Sequence, residues 1–293
     1  MDITAAMVKE LRQRTGAGMM ECKKALTAAG GDMEVAIEQM RVSGLAKADK
    51  KSDNTAAEGV VSIRLADDGS RYAMVEINSQ TDFASKSEDF TGFVDAVSDV
   101  VLAELPADTA ALGTLKLAGG DDIETTRKNL IAKIGENIQV RRFVAANSAG
   151  GTLGQYSHGG RIGVICEVQG GDAALAKDIA MHVAASKPVC INPEDISSEL
   201  LAKEKAVFEG EAAESGKPPE IVEKMVEGKI RKYLAEVTLV GQPFVKDPDQ
   251  TVGQLLKAAG ATVTSFQRLE VGEGIEKKEE NFAEEVMAQV RGS

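Results

Sequence analysis

The sequence predicts an α+β protein with a helical head, a duplicated sheet-and-helix middle, an inserted helical hairpin and a helical tail. Three observations predict this class. Apolar residues recur at helical spacing at both ends, two pairs of β-prone runs surround Gly-containing turns, and a helical pattern follows each pair. At roughly 150 residues per domain, a chain of 293 residues corresponds to about two domains.

Residues 1–45 predict a compact module of three short helices. Thr4 is placed to cap the first helix and Gly16 to end it, and a third helix is expected to close at Gly44. Helices this short are not stable alone, so we expect them to pack together. Residues 46–57, rich in Lys, Ala and Asp, are interpreted as a linker.

The middle of the chain repeats one order of elements, a hairpin followed by a helix, about ninety residues apart. We interpret the two copies as related core subdomains, each a small antiparallel sheet backed by helices. The first covers residues 58–145. The second covers residues 146–192 and 241–271, with an insertion between its two parts.

That insertion, residues 193–240, predicts an antiparallel helical hairpin around the turn at residues 215–219. Its apolar repeat spans too few heptads for a stable coiled coil by itself, so the hairpin needs a surface to pack against. It is therefore a candidate for self-association. Packing against its own subdomain is the open alternative. Residues 272–293 form a C-terminal module, in which an amphipathic helix is predicted from Phe282, Val286 and Val290.

Composition excludes several classes of function. Lys and Arg total 34 against 46 Asp and Glu, and a formal net charge of −12 has the wrong sign for holding nucleic acid. No apolar run approaches the roughly 18–20 residues of a membrane span, and the first residues lack a signal-peptide pattern. Three cysteines without a Cys-x-x-Cys pair favour a reducing compartment. We therefore expect a cytoplasmic location, with neither direct nucleic-acid nor membrane binding.

Reactive chemistry is not indicated either. Residues 210–217 resemble a phosphate-binding loop only superficially, since Ser215 stands where the second Gly is needed. His182 lies on an apolar helical stripe and is predicted to be a core histidine, whereas His158 is predicted to be displayed at a hairpin tip. No set of titratable groups converges, so we expect no catalytic residue, metal or cofactor.

Two segments have an ambiguous pattern. Between a strand and a helix, Thr81 or Asp82 can serve as an N-cap, and Phe83 is either a staple over the core or a ring displayed as a wedge. Met19 and Met20, in the first turn of a helix, either fill a core or serve a protein interface.

Short segments spanning nearly the whole chain resemble one family, in its order. They are Val8–Arg12, Thr15–Met20, Cys22–Leu26, Gln80–Phe83, Lys133–Asn137, His158–Gly159, Arg161–Gly163, Met181–Ala185, Ser215–Pro218, Gly241–Phe244 and Val271–Glu276. Each is weak alone, but the set in register is specific. Together they resemble the bacterial translation elongation factor Ts family.

The resemblance implies a guanine nucleotide exchange factor that binds elongation factor Tu in its GDP-bound and nucleotide-free states. It implies a ubiquitin-associated-like head and a dimerisation role for residues 193–240. The segment implied to disturb the partner's magnesium and phosphate site consists of Thr81, Asp82, Phe83 and Ala84. Further implied partner contacts are Met19, Met20, Ile134, Gly135 and His158.

Two other classes of function are weighed against this one. A nucleotide-insensitive adaptor that uses the three-helix head is the main alternative, but it leaves the duplicated core unexplained. An enzyme acting on a small metabolite would need converging titratable groups, and the sequence supplies none.

Overall fold

The computed structural model of the chain describes residues 2–214 and 216–276, and within them the side chains of all residues but Leu45, Lys47 and Asp49. The amphipathic helix predicted from Phe282 to Val290 lies outside the described residues. In the described part, helices alternate with antiparallel strand pairs, which confirms the α+β class.

The predicted head helices, the strand pairs with their following helices and the inserted hairpin occur in the predicted order, among further elements. The helices and strands are α1 (Ala5–Thr15), α2 (Met19–Ala28), α3 (Met33–Lys51), β1 (Glu58–Leu65), β2 (Arg71–Ser79), α4 (Asp82–Ser85), α5 (Glu88–Glu104), α6 (Thr109–Gly113), α7 (Ile123–Ile134), β3 (Ile138–Asn147), β4 (Thr152–His158), β5 (Ile162–Gln169), α8 (Ala173–Ser186), α9 (Ser198–Ala213), α10 (Pro219–Val237), β6 (Pro243–Phe244), β7 (Asp247–Thr251), α11 (Val252–Ala258) and β8 (Thr262–Glu270). None of the helices described is both long and apolar enough to cross a membrane.

The chain divides into two compact units. Among the described residues, one contains residues 2–60, 75–143 and 271–276, and the other contains residues 61–74, 144–214 and 216–270. The domain boundaries inferred from the sequence stay a prediction.

The three helices of the head are confirmed, and the first begins and ends at its predicted caps. Thr4 Oγ1 accepts from the N–H of Met7 at 3.3 Å. Gly16 ends α1 in the left-handed region, with φ +70°, and its N–H donates to Arg12 O at 2.8 Å. A small core of buried side chains joins the helices: Leu11, Cys22, Leu26 and Ala36.

The prediction that Gly44 ends the third helix is wrong, because α3 continues to Lys51. A Cβ at residue 44 would lie 2.9 Å from Cβ of Ala132 in α7. Glycine is therefore needed at this point for the close approach of two helices, and the tertiary contact outweighs its low helix propensity. The first part of the interpreted linker, up to Lys51, is accordingly helical.

Strands form two three-stranded sheets, in the orders β1-β2-β3 and β4-β5-β8, and one two-stranded sheet, β6-β7. β4 and β5 pair antiparallel, with His158 opposite Ile162, so the second predicted hairpin is confirmed. β8 pairs antiparallel on the other edge of β5. The core of the unit that contains this sheet includes buried residues of β5 and α8, among them Val164, Val168, Ile179 and Val183.

The inserted hairpin is also confirmed, since α9 and α10 run antiparallel. Phe208 packs edge-on against Tyr233, with ring centroids 6.1 Å apart, and Lys229 pairs with Glu211. Val207 and Ile221 leave apolar surface exposed on this hairpin.

Gly154 in β4 lies under helix α8. A Cβ at this position would be 2.2 Å from the carbonyl oxygen of Ala176, which is backbone and has no rotamer to change. We expect Gly154→Ala to lower the free energy of unfolding by about 1–3 kcal/mol through overpacking. Urea unfolding followed by circular dichroism measures this change.

Gly210→Ala is the matched control, because a Cβ at this position of α9 meets nothing within 4 Å. There, alanine should raise the stability of the helix by up to about 1 kcal/mol. Equal effects of the two substitutions would contradict the close approach of β4 and α8.

Candidate functional site

The site begins at the turn that follows β2. Thr81 has extended backbone, and its Oγ1 accepts from the N–H of Ala84 at 3.3 Å, so Thr81 is the N-cap of the single-turn helix α4. Ser79 Oγ donates to Thr81 O at 2.9 Å, and Ser85 Oγ donates to Asp82 O at 2.9 Å. These bonds fix the path of the backbone on both sides of the turn.

Phe83 is displayed to solvent by this turn. Its side chain is 83% exposed, whereas the neighbouring Ala84 is 5% exposed. Of the two alternatives left by the sequence, the structure therefore excludes the staple and supports the displayed ring. A Phe ring left in water forgoes about 1.5–3 kcal/mol that burial would provide, so its display favours contact with another molecule.

Asp82 places a carboxylate beside the ring. Lys86 Nζ lies 2.6 Å from Asp82 Oδ2, one helical turn away. This hydrogen bond is the main cause that lowers the pKa of Asp82 below its ordinary value. The corner thus presents an anion and an apolar ring together.

The end of α7 is bonded to the same corner. Gly135 caps the helix in the left-handed region, with φ +88°, and Ile134 and Gly135 are half-buried. The Glu136 carboxylate accepts from Thr81 N at 2.9 Å and from Thr81 Oγ1 at 2.7 Å. The structure therefore brings together Thr81–Ala84 and Ile134–Gly135, which the sequence placed about fifty residues apart.

Met19 and Met20 stand at the start of α2 and are 60% and 69% exposed, so they do not fill the core of the head. The loop before them contacts α7, because a Cβ at Gly16 would lie 2.6 Å from Lys133 Cε. Lys133 immediately precedes Ile134, so the methionines start from a loop that lies against the end of α7.

His158 is exposed at the end of β4, as predicted, and belongs to the other unit. Its Nδ1 lies 3.3 Å from Tyr156 Oη, and the two rings stack with centroids 6.3 Å apart. The phenol therefore sets the orientation of an imidazole whose outer nitrogen, Nε2, stays available for an external contact.

Glu136 lies at the candidate site and was missed by sequence reasoning. The family-like segment Lys133–Asn137 contains it, but only Ile134 and Gly135 were singled out. No local pattern indicates that this carboxylate pairs with a threonine 55 positions earlier. Among the described residues, no group of three or more His, Cys, Asp or Glu is arranged to hold a metal ion.

His182 is fully buried, as predicted for a core histidine. Its Nδ1 accepts from Val245 N at 3.1 Å, so the ring proton is on Nε2 and is donated to Gln242 Oε1 at 3.0 Å. Burial lowers the pKa of His182 below its ordinary 6.5, and the hydrogen bond with Gln242 only partly offsets this. A second ring proton would oppose the N–H of Val245.

This geometry predicts a pH dependence of stability. Below about pH 6.5 the unfolded chain binds a proton at His182 that the folded chain refuses, so the free energy of unfolding falls as the pH falls. The chain has only two histidines, and nuclear magnetic resonance titration of a His158→Gln variant isolates the His182 signal. We expect a midpoint below 6.5, and a midpoint at or above 6.5 would contradict the buried neutral ring.

Comparison with known proteins relates the whole chain to one family. The sequence profile of the family described as Elongation factor TS matches residues 80–273. The chain is 63% identical over 294 residues to Elongation factor Ts of Thioalkalivibrio sulfidiphilus and 60% identical over 293 residues to that of Alkalilimnicola ehrlichii, with all of both chains covered. Identity to the Legionella pneumophila protein of the same name is 54%, over 99% of both chains.

Proposed function

This chain belongs to the elongation factor Ts family, and from that premise we propose that it is a guanine nucleotide exchange factor in translation elongation. It binds elongation factor Tu in the GDP-bound state, inserts the Thr81–Ala84 turn beside the magnesium and phosphate site, and promotes GDP release so that GTP can bind. The proposal rests above all on the 83% exposed ring of Phe83 on a hydrogen-bonded turn.

The mechanism needs no reactive group in this chain. A G protein holds its nucleotide through backbone N–H groups, a Lys and a magnesium ion, and an inserted ring and carboxylate distort that arrangement. By linkage, the nucleotide weakens binding of the factor as much as the factor weakens binding of the nucleotide. A thousandfold faster release corresponds to roughly 4 kcal/mol, which one buried Phe and a few adjacent contacts can supply. We therefore propose a protein without catalytic residues or cofactor.

The remaining contact residues have chemistry that suits a protein surface. Met19 and Met20 offer flexible, polarisable thioethers that adapt to an irregular surface. Ile134 and Gly135 border the turn that carries Phe83, and His158 offers an oriented imidazole on the other unit. We assign these five residues to the same partner.

One observation favours the adaptor alternative: Val35 and Val42 on α3 of the head are exposed. The two functions differ in their response to nucleotide. A complex of this chain with elongation factor Tu that GDP dissociates supports exchange, whereas a complex of equal stability with and without GDP supports the adaptor.

Removal of the Phe83 ring tests the proposed wedge. We expect Phe83→Ala to slow GDP release from elongation factor Tu by about 10–100-fold, because roughly 1.5–3 kcal/mol of burial is lost from the nucleotide-free complex. Stopped-flow release of a fluorescent GDP measures the rate. Phe83→Leu should be intermediate, since it retains much of the apolar volume.

Val189→Ala is the control for the loss of exposed apolar surface, because Val189 is 56% exposed and lies in the unit that does not contain Phe83. Its release rate should stay within about twofold of the parent chain. A Phe83→Ala variant as fast as the parent would refute the wedge.

We further propose that α9 and α10 form a homodimer contact through their exposed apolar residues. Substitution is a better test than removal of residues 193–240, since Leu239 in that range is buried in the core of its unit. The double variant Val207→Glu, Ile221→Glu places charges on the exposed surface of the hairpin.

Sedimentation equilibrium should show a dimer for the parent chain. For the double variant, an apparent mass closer to that of one chain is expected, because burying an unpaired carboxylate in an interface is costly. Identical mass distributions for the two proteins would argue against this interface.

A further inference from the structure

We propose that Glu136 is a positioning residue that holds the Thr81–Ala84 turn in the conformation that displays Phe83. The inference deepens the exchange function proposed above and rests on it. It concerns a carboxylate that is not itself assigned to the partner contact and that acts through Thr81.

The contact is a two-point clamp on one residue. One carboxylate oxygen of Glu136 accepts from the backbone N–H of Thr81 at 2.9 Å, and the other accepts from the Thr81 hydroxyl at 2.7 Å. Hydrogen bonds to an ionised acceptor are stronger than neutral ones, and two parallel bonds also fix orientation. The backbone and the side chain of the α4 cap are thereby held at once.

The support of the clamp is itself fixed. Asn137 is buried and donates its backbone N–H to Gln80 Oε1 at 2.7 Å. Its side-chain amide donates to Ser52 O at 3.2 Å and to Asn54 O at 2.8 Å, and Lys51 donates to Gly135 O. Glu136 therefore projects from a turn anchored on both sides.

Without the clamp, Thr81 itself keeps only bonds within residues 79–84, and the long-range bond from Asn137 holds the residue before it. The cap bond from Ala84 N to Thr81 Oγ1 is long, at 3.3 Å, and α4 has only four residues, far fewer than a helix needs to be stable alone. The turn would then populate other conformations. Apparent affinity for the partner falls in proportion to the fraction of chains in which Phe83 is displayed.

Glu136 could instead make a direct charge contact with the partner. That role predicts a different order of activity among the variants. The amide of a Glu136→Gln variant can keep both bonds to Thr81, because its oxygen accepts from the N–H and its nitrogen donates to the second lone pair of the hydroxyl. The side chain of a Glu136→Asp variant keeps the charge but is about 1.5 Å shorter, which puts Thr81 beyond hydrogen-bond reach. Positioning therefore tolerates Glu136→Gln and fails in Glu136→Asp, and a charge contact does the reverse.

The first measurement needs no partner. The chain has no Trp and three Tyr, so Phe83→Trp introduces a single Trp on the turn, and time-resolved anisotropy with selective excitation of Trp reports its local motion. In this background, Glu136→Ala and Glu136→Asp should increase the amplitude of the fast decay, while Glu136→Gln stays near the parent. Equal local motion in all four proteins overturns the inference. Circular dichroism checks that each variant is folded.

The second measurement uses chains with Phe83 restored, and follows release of fluorescent GDP from elongation factor Tu. Glu136→Ala and Glu136→Asp should slow release about tenfold, and Glu136→Gln should stay within about twofold. Full activity of Glu136→Asp with loss in Glu136→Gln overturns positioning in favour of a charge contact. Full activity of Glu136→Ala, where Phe83→Ala is slow, also overturns it and leaves the proposed exchange function intact.

Failure of the Glu136 clamp can be distinguished from failure of the proposed exchange function. If the parent chain does not accelerate GDP release, the proposed function fails, and the anisotropy series still decides whether Glu136 orders the turn. The predicted order of motion would then support the clamp as a device for displaying Phe83 to some other partner surface.

Discussion

The pair of hydrogen bonds from Thr81 to Glu136 is the interaction on which the candidate site depends. It joins two turns that the chain makes 55 residues apart, one after β2 and one after α7. The first turn carries the exposed ring and the carboxylate, and the second ends a helix. Joined, they place an exposed ring, an ionised carboxylate and the end of a helix in one corner.

This corner is carried by strands that a buried carboxylate holds together. Glu76 in β2 is inaccessible to solvent, and it accepts from Arg141 at 3.0 Å, from Arg142 at 2.5 Å and from the N–H of Gly272 at 2.8 Å. Burial alone would raise the pKa of Glu76, but the bonds from Gly272, Arg142 and Arg141 outweigh it and lower the pKa. This paired charge ties β2 to β3 and to Gly272, and β2 ends two residues before Thr81.

The sequence is informative where the cause of a feature lies within a few residues. Thr4 and Gly16 were predicted as caps because capping is a bond between near neighbours. The extension of α3 past Gly44 was not predictable, because its cause is Ala132 on another helix. The clamp of Glu136 on Thr81 was not predictable either, because it joins residues far apart in the sequence. Most of the site residues came from the resemblance to a family.

The same distinction explains why the display of Phe83 stayed ambiguous. A capped turn with one aromatic residue is compatible with either direction of the ring, and only the environment of the next residue decides between them. Ala84 and Ser85 are buried, so the turn presents these two small side chains to the interior. Successive residues of a helical turn point about 100° apart, which directs Phe83 outward. The ring is thus displayed because its neighbours are held in the interior. A turn held in one conformation can displace groups of a partner, whereas a mobile turn would change its own conformation instead.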